Sequence, residues 1–239
     1  MKIYLYDIDE SHDIKSGDPH APQLPFRMLI SGSSGTGKTN MLINLLLGDK
    51  LVNTYNGKKE GQRYINCNDV LLVGKHLNEP KWQIVREFYK YLASEGGEDV
   101  TFTAITPNEI PPVTDFDPKR STVAVFEDLV NEPKKIQQRI AEYFTHGRHR
   151  NISPIYVSQR FFATPKIIRE NLTYIALHGG AGNLRDIKRI ISQYTEHTEK
   201  IAPIIDNLTR NKDFVVFDLT RSHYDPLSIR HRWDLPIIK

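Results

Sequence analysis

Between two apolar stretches the chain reads SGSSGTGKT, residues 31–39. Gly32, Gly37, Lys38 and Thr39 satisfy the spacing G-x-x-x-x-G-K-[ST] of a phosphate-binding loop. Glycine admits backbone conformations in which consecutive N–H groups converge on one anion. The Lys38 ammonium is then within reach of the β- and γ-phosphates of a nucleotide, and the Thr39 hydroxyl can coordinate Mg²⁺. Ser33, Ser34, Gly35 and Thr36 keep the cradle small and polar. A helix starting at Lys38 would add its positive dipole end to the same anion. The bland alternative is a Gly/Ser turn that matches by accident. Its position between an apolar strand pattern and a leucine-rich helical pattern favours the loop.

A phosphate cradle alone does not imply hydrolysis, but a second segment supplies acids. "VAVFED", residues 123–128, closes an apolar β-branched run with Glu127 and Asp128. One acid at such a strand end serves the hydrated Mg²⁺ and the next polarises an attacking water. The usual order puts Asp first; here Glu, one methylene longer, comes first. By position Glu127 would serve the metal and Asp128 the water, a division the spacing alone leaves open. "SPIYVSQ", residues 153–159, ends in a polar pair, and Gln159 would sense the γ-phosphate or orient water if its strand adjoins the loop strand. "HGRHRN", residues 146–151, offers Arg148 and Arg150 in a loop. A guanidinium lent by a neighbouring subunit neutralises charge developing on a γ-phosphate. Arg148 is the first choice for that finger, with a solvated basic turn as the alternative. Arg169 is a further candidate near the nucleotide or a subunit boundary. His146 and His149 lack a third ligand at metal-binding spacing.

These groups cooperate only if the fold brings them to one place. Short apolar runs alternate with helical patterns along the chain, which predicts an α/β fold with a mainly parallel sheet. Strands are expected at 26–31, 69–74, 99–105, 121–129, 153–159, 173–179 and 213–219. Helices are expected at 38–48, 80–94, 131–147 capped by Asn131, 164–171 capped by Thr164, and near 183–193 and 195–207. The helix over 80–94 shows Val85, Phe88, Tyr89 and Leu92 at helical spacing. The proline-rich stretch 106–120 is expected to lack regular structure, as is the tail from Thr220 to Lys239. One domain is expected over 1–239, with a core of about 24–220, an N-terminal extension 1–23 and a C-terminal tail 221–239.

Bulk composition narrows the classes. The 239 residues are 39% hydrophobic and 26% charged, with a formal net charge of +3, ordinary for a globular protein with a sizeable core. The charge is too small to argue for nucleic acid. The single cysteine, Cys67, excludes an internal disulfide and fits a reducing, intracellular setting. No apolar run approaches the roughly 18 residues of a membrane span. The opening "MKIYLYDIDESHDIK" lacks the apolar centre of a secretory leader.

Taken together, "PFRMLISGSSGTGKTNMLINLL", "TVAVFEDL" and "YFTHGRHRNISPIYVSQRFFATPKIIRENLTYIALH" resemble the poxvirus-type genome-packaging ATPases of large DNA viruses. These belong to the FtsK–HerA superfamily of ring-forming DNA pumps. The resemblance runs from about residue 24 to 220. The join of "GRHRNISPIYVSQ" to P-x-x-I-R-E-N is its most discriminating part. It implies a P-loop ATPase fold of the RecA/FtsK type, with helices on both faces of the sheet. It also implies ATP and Mg²⁺ as cofactors, a homo-oligomeric ring of five or six copies, double-stranded DNA in the pore, and capsid vertex proteins as partners. Its place would be the host cell where virions assemble, or the virion itself. By the same likeness Lys38 and Thr39 map to the nucleotide and Mg²⁺ contacts, Glu127 and Asp128 to the acidic pair, Gln159 to the sensor and Arg148 to the finger. Two segments are candidates for gripping DNA: the loop 106–120 and the basic loop "NGKKEGQR", residues 56–63. Two rival readings remain at this level: a P-loop nucleotide or nucleic-acid kinase, and a DNA-binding assembly module that does not hydrolyse.

Overall fold

The computed structural model describes residues 18–180 and 183–237; the reading of the first fifteen residues lies outside them. Among the described residues nine strands form one sheet. They are β1 Met28–Ser31, β2 Asp69–Val73, β3 Thr101–Ile105, β4 Thr122–Glu127, β5 Ile152–Ser158, β6 Tyr174–Leu177, β7 Val215–Asp218, β8 Ile229–His231 and β9 Leu235–Pro236. Their order is β3-β2-β4-β5-β1-β6-β7-β8-β9. The six strands from β3 to β6 run parallel, and β7, β8 and β9 continue the sheet antiparallel. Parallel strands need crossovers, and the helices α1 Lys38–Leu47, α3 Pro80–Ser94 and α4 Lys134–His146 provide them. This is the fold of a P-loop NTPase.

Strands buried on both faces read as continuous apolar runs, as β1, β4 and β5 do. Alternate residues then serve two cores. Met28, Ile30, Val123, Val125, Ile155 and Val157 face one side, together with α1 and α3. Leu29, Ala124, Phe126, Ile152 and Tyr156 face the other, with α4, α6 Leu184–Ile191 and α7 Thr198–Arg210. On α3 the residues Val85, Phe88, Tyr89 and Leu92 are buried, and so is Trp82. A short helix α2, Lys50–Tyr55, follows α1 and precedes the basic loop. At the sheet's far end Arg230 is buried against Asp218 at 3.2 Å. Among the described residues no helix is long and apolar enough to cross a membrane.

The structure differs from the sequence expectations at several points. α4 starts at Lys134 with Pro133 at its cap, so Asn131 lies outside it. Two prolines explain the pattern: each disfavours helix in the residue before it, and Pro133 fits the entry to a first turn. For the same reason Pro165, not Thr164, precedes α5, which is only Lys166–Arg169. The stretch 106–120 contains two 3-10 turns, Pro107–Glu109 and Val113–Asp115. It crosses the sheet face from the end of β3 to the start of β4. Ile110 and Val113 are buried, and the Tyr143 hydroxyl donates to the Pro111 carbonyl at 2.7 Å. It is a packed crossover rather than a free flap. The tail is irregular only in part: β8 and β9 pair within it and extend the sheet, so β7 is not the last strand.

Candidate functional site

All six parallel strands end at one edge, and chemistry collects there. The register aligns Ile30 with Val157, and Val157 with Glu127. The loop after β1, the acidic pair after β4 and Gln159 after β5 therefore leave three adjacent strands side by side, with Gln159 in the middle. Gly37, Lys38, Thr39, Glu127, Asp128 and Gln159 line a cavity of about 460 Å³. Ser34 and Gly35 also reach it. Gly32, Ser33 and Thr36 frame the loop instead. The Gly32 N–H donates to the Ser158 carbonyl at 3.2 Å and the Ser33 N–H to the Gly179 carbonyl at 2.9 Å. The Thr36 hydroxyl donates to the Ser33 carbonyl at 2.8 Å.

Two glycines are needed for distinct reasons. Gly37 adopts φ 91° as it hands the loop to α1, a left-handed conformation costly to side-chain-bearing residues. A Cβ on Gly32 would come within 2.6 Å of the His178 Cβ. Lys38 is buried and curls over the loop, donating to the carbonyls of Gly32 at 2.6 Å and Ser33 at 2.8 Å. Burial lowers the proton affinity of its amine, and the nearby charges of Asp128 and Glu127 act the other way.

The two acids sit in different environments. Glu127 accepts from the Thr39 hydroxyl on Oε1 at 3.0 Å and from the Trp82 indole N–H on Oε2 at 2.6 Å. Burial raises its pKa, and these two hydrogen bonds oppose the rise. Asp128 is exposed, at φ 53°, with its backbone N–H donating to Val157 O at 3.2 Å. Aspartate is one of the few residues that tolerates that conformation. The turn swings its carboxylate out of the sheet line into the cavity. Mg²⁺ suits the pair Thr39 and Glu127: two hard oxygen donors in contact beside a phosphate loop, where the ion usually takes one or two protein ligands and completes its shell with phosphate and water.

Arg148 and Arg150 lie at the opposite edge. They fall in the 3-10 turn Gly147–Arg150 that leads into β5, whereas Gln159 follows β5. Seven strand residues separate the two ends, a span of about 23 Å. Arg148 is exposed there, and its charge depresses the pKa of Arg27 at the foot of β1, after the larger effect of burial. Arg169 is not at the cavity. Its Nε donates to the Thr164 carbonyl at 3.1 Å and its guanidinium lies over the rings of Phe161 and Phe162.

Three contributors escape a sequence reading. Trp82 reads as one more apolar residue of an amphipathic helix, and nothing local marks its N–H. His178, at the end of β6, donates from Nδ1 to the Thr36 carbonyl at 3.0 Å and stacks on Phe214 at 4.9 Å. Its Nε2 is buried without a partner among the described residues, and burial pulls its pKa down to about 4. The pair Gly179 and Gly180 directly after a strand is a usable signal of close backbone approach. The third contributor is the segment after β2, where Lys75, His76 and Glu79 of the loop and Lys81 of α3 border the cavity.

No family model matches the sequence, and no curated protein matches it. Solved structures of similar fold do exist. The DNA-packaging ATPase B204 of Sulfolobus turreted icosahedral virus aligns with a TM-score of 0.55 at 13% identity, covering 87% of this chain and 97% of that one. The genome packaging NTPase B204 of Sulfolobus turreted icosahedral virus 2, in complex with sulfate, aligns at 0.53 and 13%, covering 87% and 95%. Its complex with ATP-gammaS aligns at 0.52 and 12%, covering 87% and 96%. At such identities the likeness is one of fold: this chain has the α/β architecture of these packaging NTPases over most of its length.

Proposed function

We propose that this chain is an ATPase that drives double-stranded DNA into a viral capsid, working as a homo-oligomeric ring in the host cell where virions assemble. The observation that carries the hydrolytic part is the hydrogen bond between Thr39 and Glu127. It joins the phosphate loop to the acidic strand within one cavity, although 88 residues separate the two in sequence. The fold shared with viral packaging NTPases and the earlier sequence resemblance support the DNA part.

The residues divide the work as follows. The loop amides and Lys38 bind the β- and γ-phosphates. Thr39 and Glu127 would hold Mg²⁺, directly or through its water; the ion, when bound, neutralises phosphate charge. Asp128 is the acid free to face the γ-phosphate. It accepts a proton from water as the water oxygen bonds to the γ-phosphorus and the bond to the β,γ-bridging oxygen breaks. Gln159, between the loop and the acids, orients that water. Arg148 acts on a neighbour's nucleotide. It stands a strand's length from its own site, so a ring that packs the foot of one sheet on the cavity of the next would complete the charge set. Capsid vertex proteins would anchor such a ring. The basic loop 56–63 is exposed at Lys58 and Lys59, and it is the better DNA grip because the other candidate is packed on the sheet.

The test is the ATPase rate with and without double-stranded DNA, measured with the particle mass. Turnover that DNA accelerates in a particle of five or six chains supports the reading. A monomer with phosphoryl transfer to a nucleoside would replace it with a kinase, and nucleotide binding without phosphate release would replace it with an assembly module.

A further inference from the structure

We infer that Trp82 is a positioning residue: its indole N–H locks the Glu127 carboxylate onto the magnesium side of the site and so leaves Asp128 as the water-facing acid. This inference rests on the nucleotide-binding reading above. Trp82 is fully buried in the third position of α3, within 2.6 Å of Glu127 Oε2. α3 is itself held by Val85, Phe88, Tyr89 and Leu92 in the core below, and the indole lies against Phe102 of β3 with ring centroids 6.4 Å apart. The donor therefore belongs to a rigid element.

Indole nitrogen is a donor only, and Glu127 is the acceptor it reaches. If Glu127 rotated away, a buried N–H would lose its partner, an outcome costlier than the bond's net worth. The second oxygen accepts from Thr39, which orients that hydroxyl's proton toward Glu127 and its lone pairs outward. Both carboxylate oxygens are thus fixed by one hydrogen bond each, and each keeps capacity for water or metal. An acid held this way serves a fixed cation well and a moving proton badly. Asp128, one residue on, is exposed on a left-handed turn and has that freedom. The ambiguity created by a Glu-first acidic pair is resolved by a helix 45 residues upstream. The same helix begins at the loop that borders the cavity, so displacement of residues 79–81 by a bound polyphosphate would be felt at Glu127.

The experiment compares wild type with Trp82→Phe, which keeps an aromatic ring against Phe102 and loses the N–H. Binding of a fluorescent ATP analogue in EDTA should be unchanged. The Mg²⁺ concentration for half-maximal ATPase should rise about tenfold, as expected for losing one hydrogen bond to a charged group. Trp233→Phe leaves Trp82 as the sole tryptophan. Its emission should shift when Mg²⁺ is added to the nucleotide-bound protein and stay unchanged with nucleotide in EDTA. A Trp82→Phe protein with wild-type Mg²⁺ dependence overturns the inference and leaves the nucleotide reading standing. If that variant fails to fold, an emission that ignores Mg²⁺ while nucleotide binds overturns it equally. Absence of nucleotide binding by the wild-type chain overturns the reading and this inference with it.

Discussion

The two edges of the parallel sheet present different groups. At the carboxyl edge the phosphate loop, Glu127, Asp128 and Gln159 face a shared cavity. At the amino edge Arg27, Arg148 and Arg150 gather around the starts of β1 and β5, with an exposed basic loop preceding β2. The first edge has acids, amides and the lysines Lys38, Lys75 and Lys81, but no arginine, in its cavity lining. The second has arginines and no phosphate cradle. On the proposed reading, a single copy separates the charge that binds phosphate from the charge that would stabilise its transfer. On the same reading, stacking one copy's amino edge on another's carboxyl edge would reunite them.

If the two edges play these unequal roles, changes at the carboxyl edge should be the more severe. Lys38→Ala should abolish nucleotide binding and turnover, since it removes the only lysine of the cradle and the cross-strut on Gly32 and Ser33. Full ATPase activity in that variant would remove the site from this loop. Arg148→Ala should fold and bind ATP but hydrolyse about 10³-fold more slowly, the lower range for a finger supplied by a neighbour. Mixing it with Glu127→Gln/Asp128→Asn subunits should restore part of the rate. No recovery in demonstrated mixed particles would confine Arg148 to a structural role.

A third prediction concerns His178, which props the phosphate loop at the carboxyl edge. His178 titrates near 6.5 in an unfolded chain and at about 4 in the fold, where burial, reinforced by Lys38 and countered by Thr36 and Asp213, disfavours the imidazolium. Between those values the unfolded chain binds the extra proton. Stability is therefore fully present above pH 6.5 and declines as pH falls toward 4, by about 3 kcal/mol for this one group. Urea unfolding of wild type and His178→Asn across that range checks the difference. Parallel curves would mean that the ring does not titrate in this way. The smallest effect is expected at the amino edge: Lys58→Ala/Lys59→Ala should lower the slope of log DNA affinity against log salt by about one per lost phosphate contact. ATP turnover without DNA should be unchanged. An unaltered slope would move the DNA grip elsewhere.

Much of this was readable along the chain because its signals are local. The phosphate loop is a contiguous pattern, and the helix over 80–94 was read at its observed bounds because four apolar residues repeat at helical spacing. Helix starts beside Pro133 and Pro165 were misplaced, since a cap depends on backbone angles that Asn131 and Thr164 do not dictate alone. The C-terminal strands went unseen. β8 and β9 are three and two residues long, too short for an alternating pattern to stand out, and only pairing with β7 makes them strands.

Residue order alone thus made the phosphate-loop pattern legible, because loop, lysine and threonine are neighbours through covalent bonds. It could not show what holds the Glu127 carboxylate, what props the loop or where the arginines stand. Those answers come from hydrogen bonds spanning 45 residues to Trp82 and 142 to His178, and from the length of β5. Such contacts leave no periodicity behind; they exist only once the strands have taken their order in the sheet.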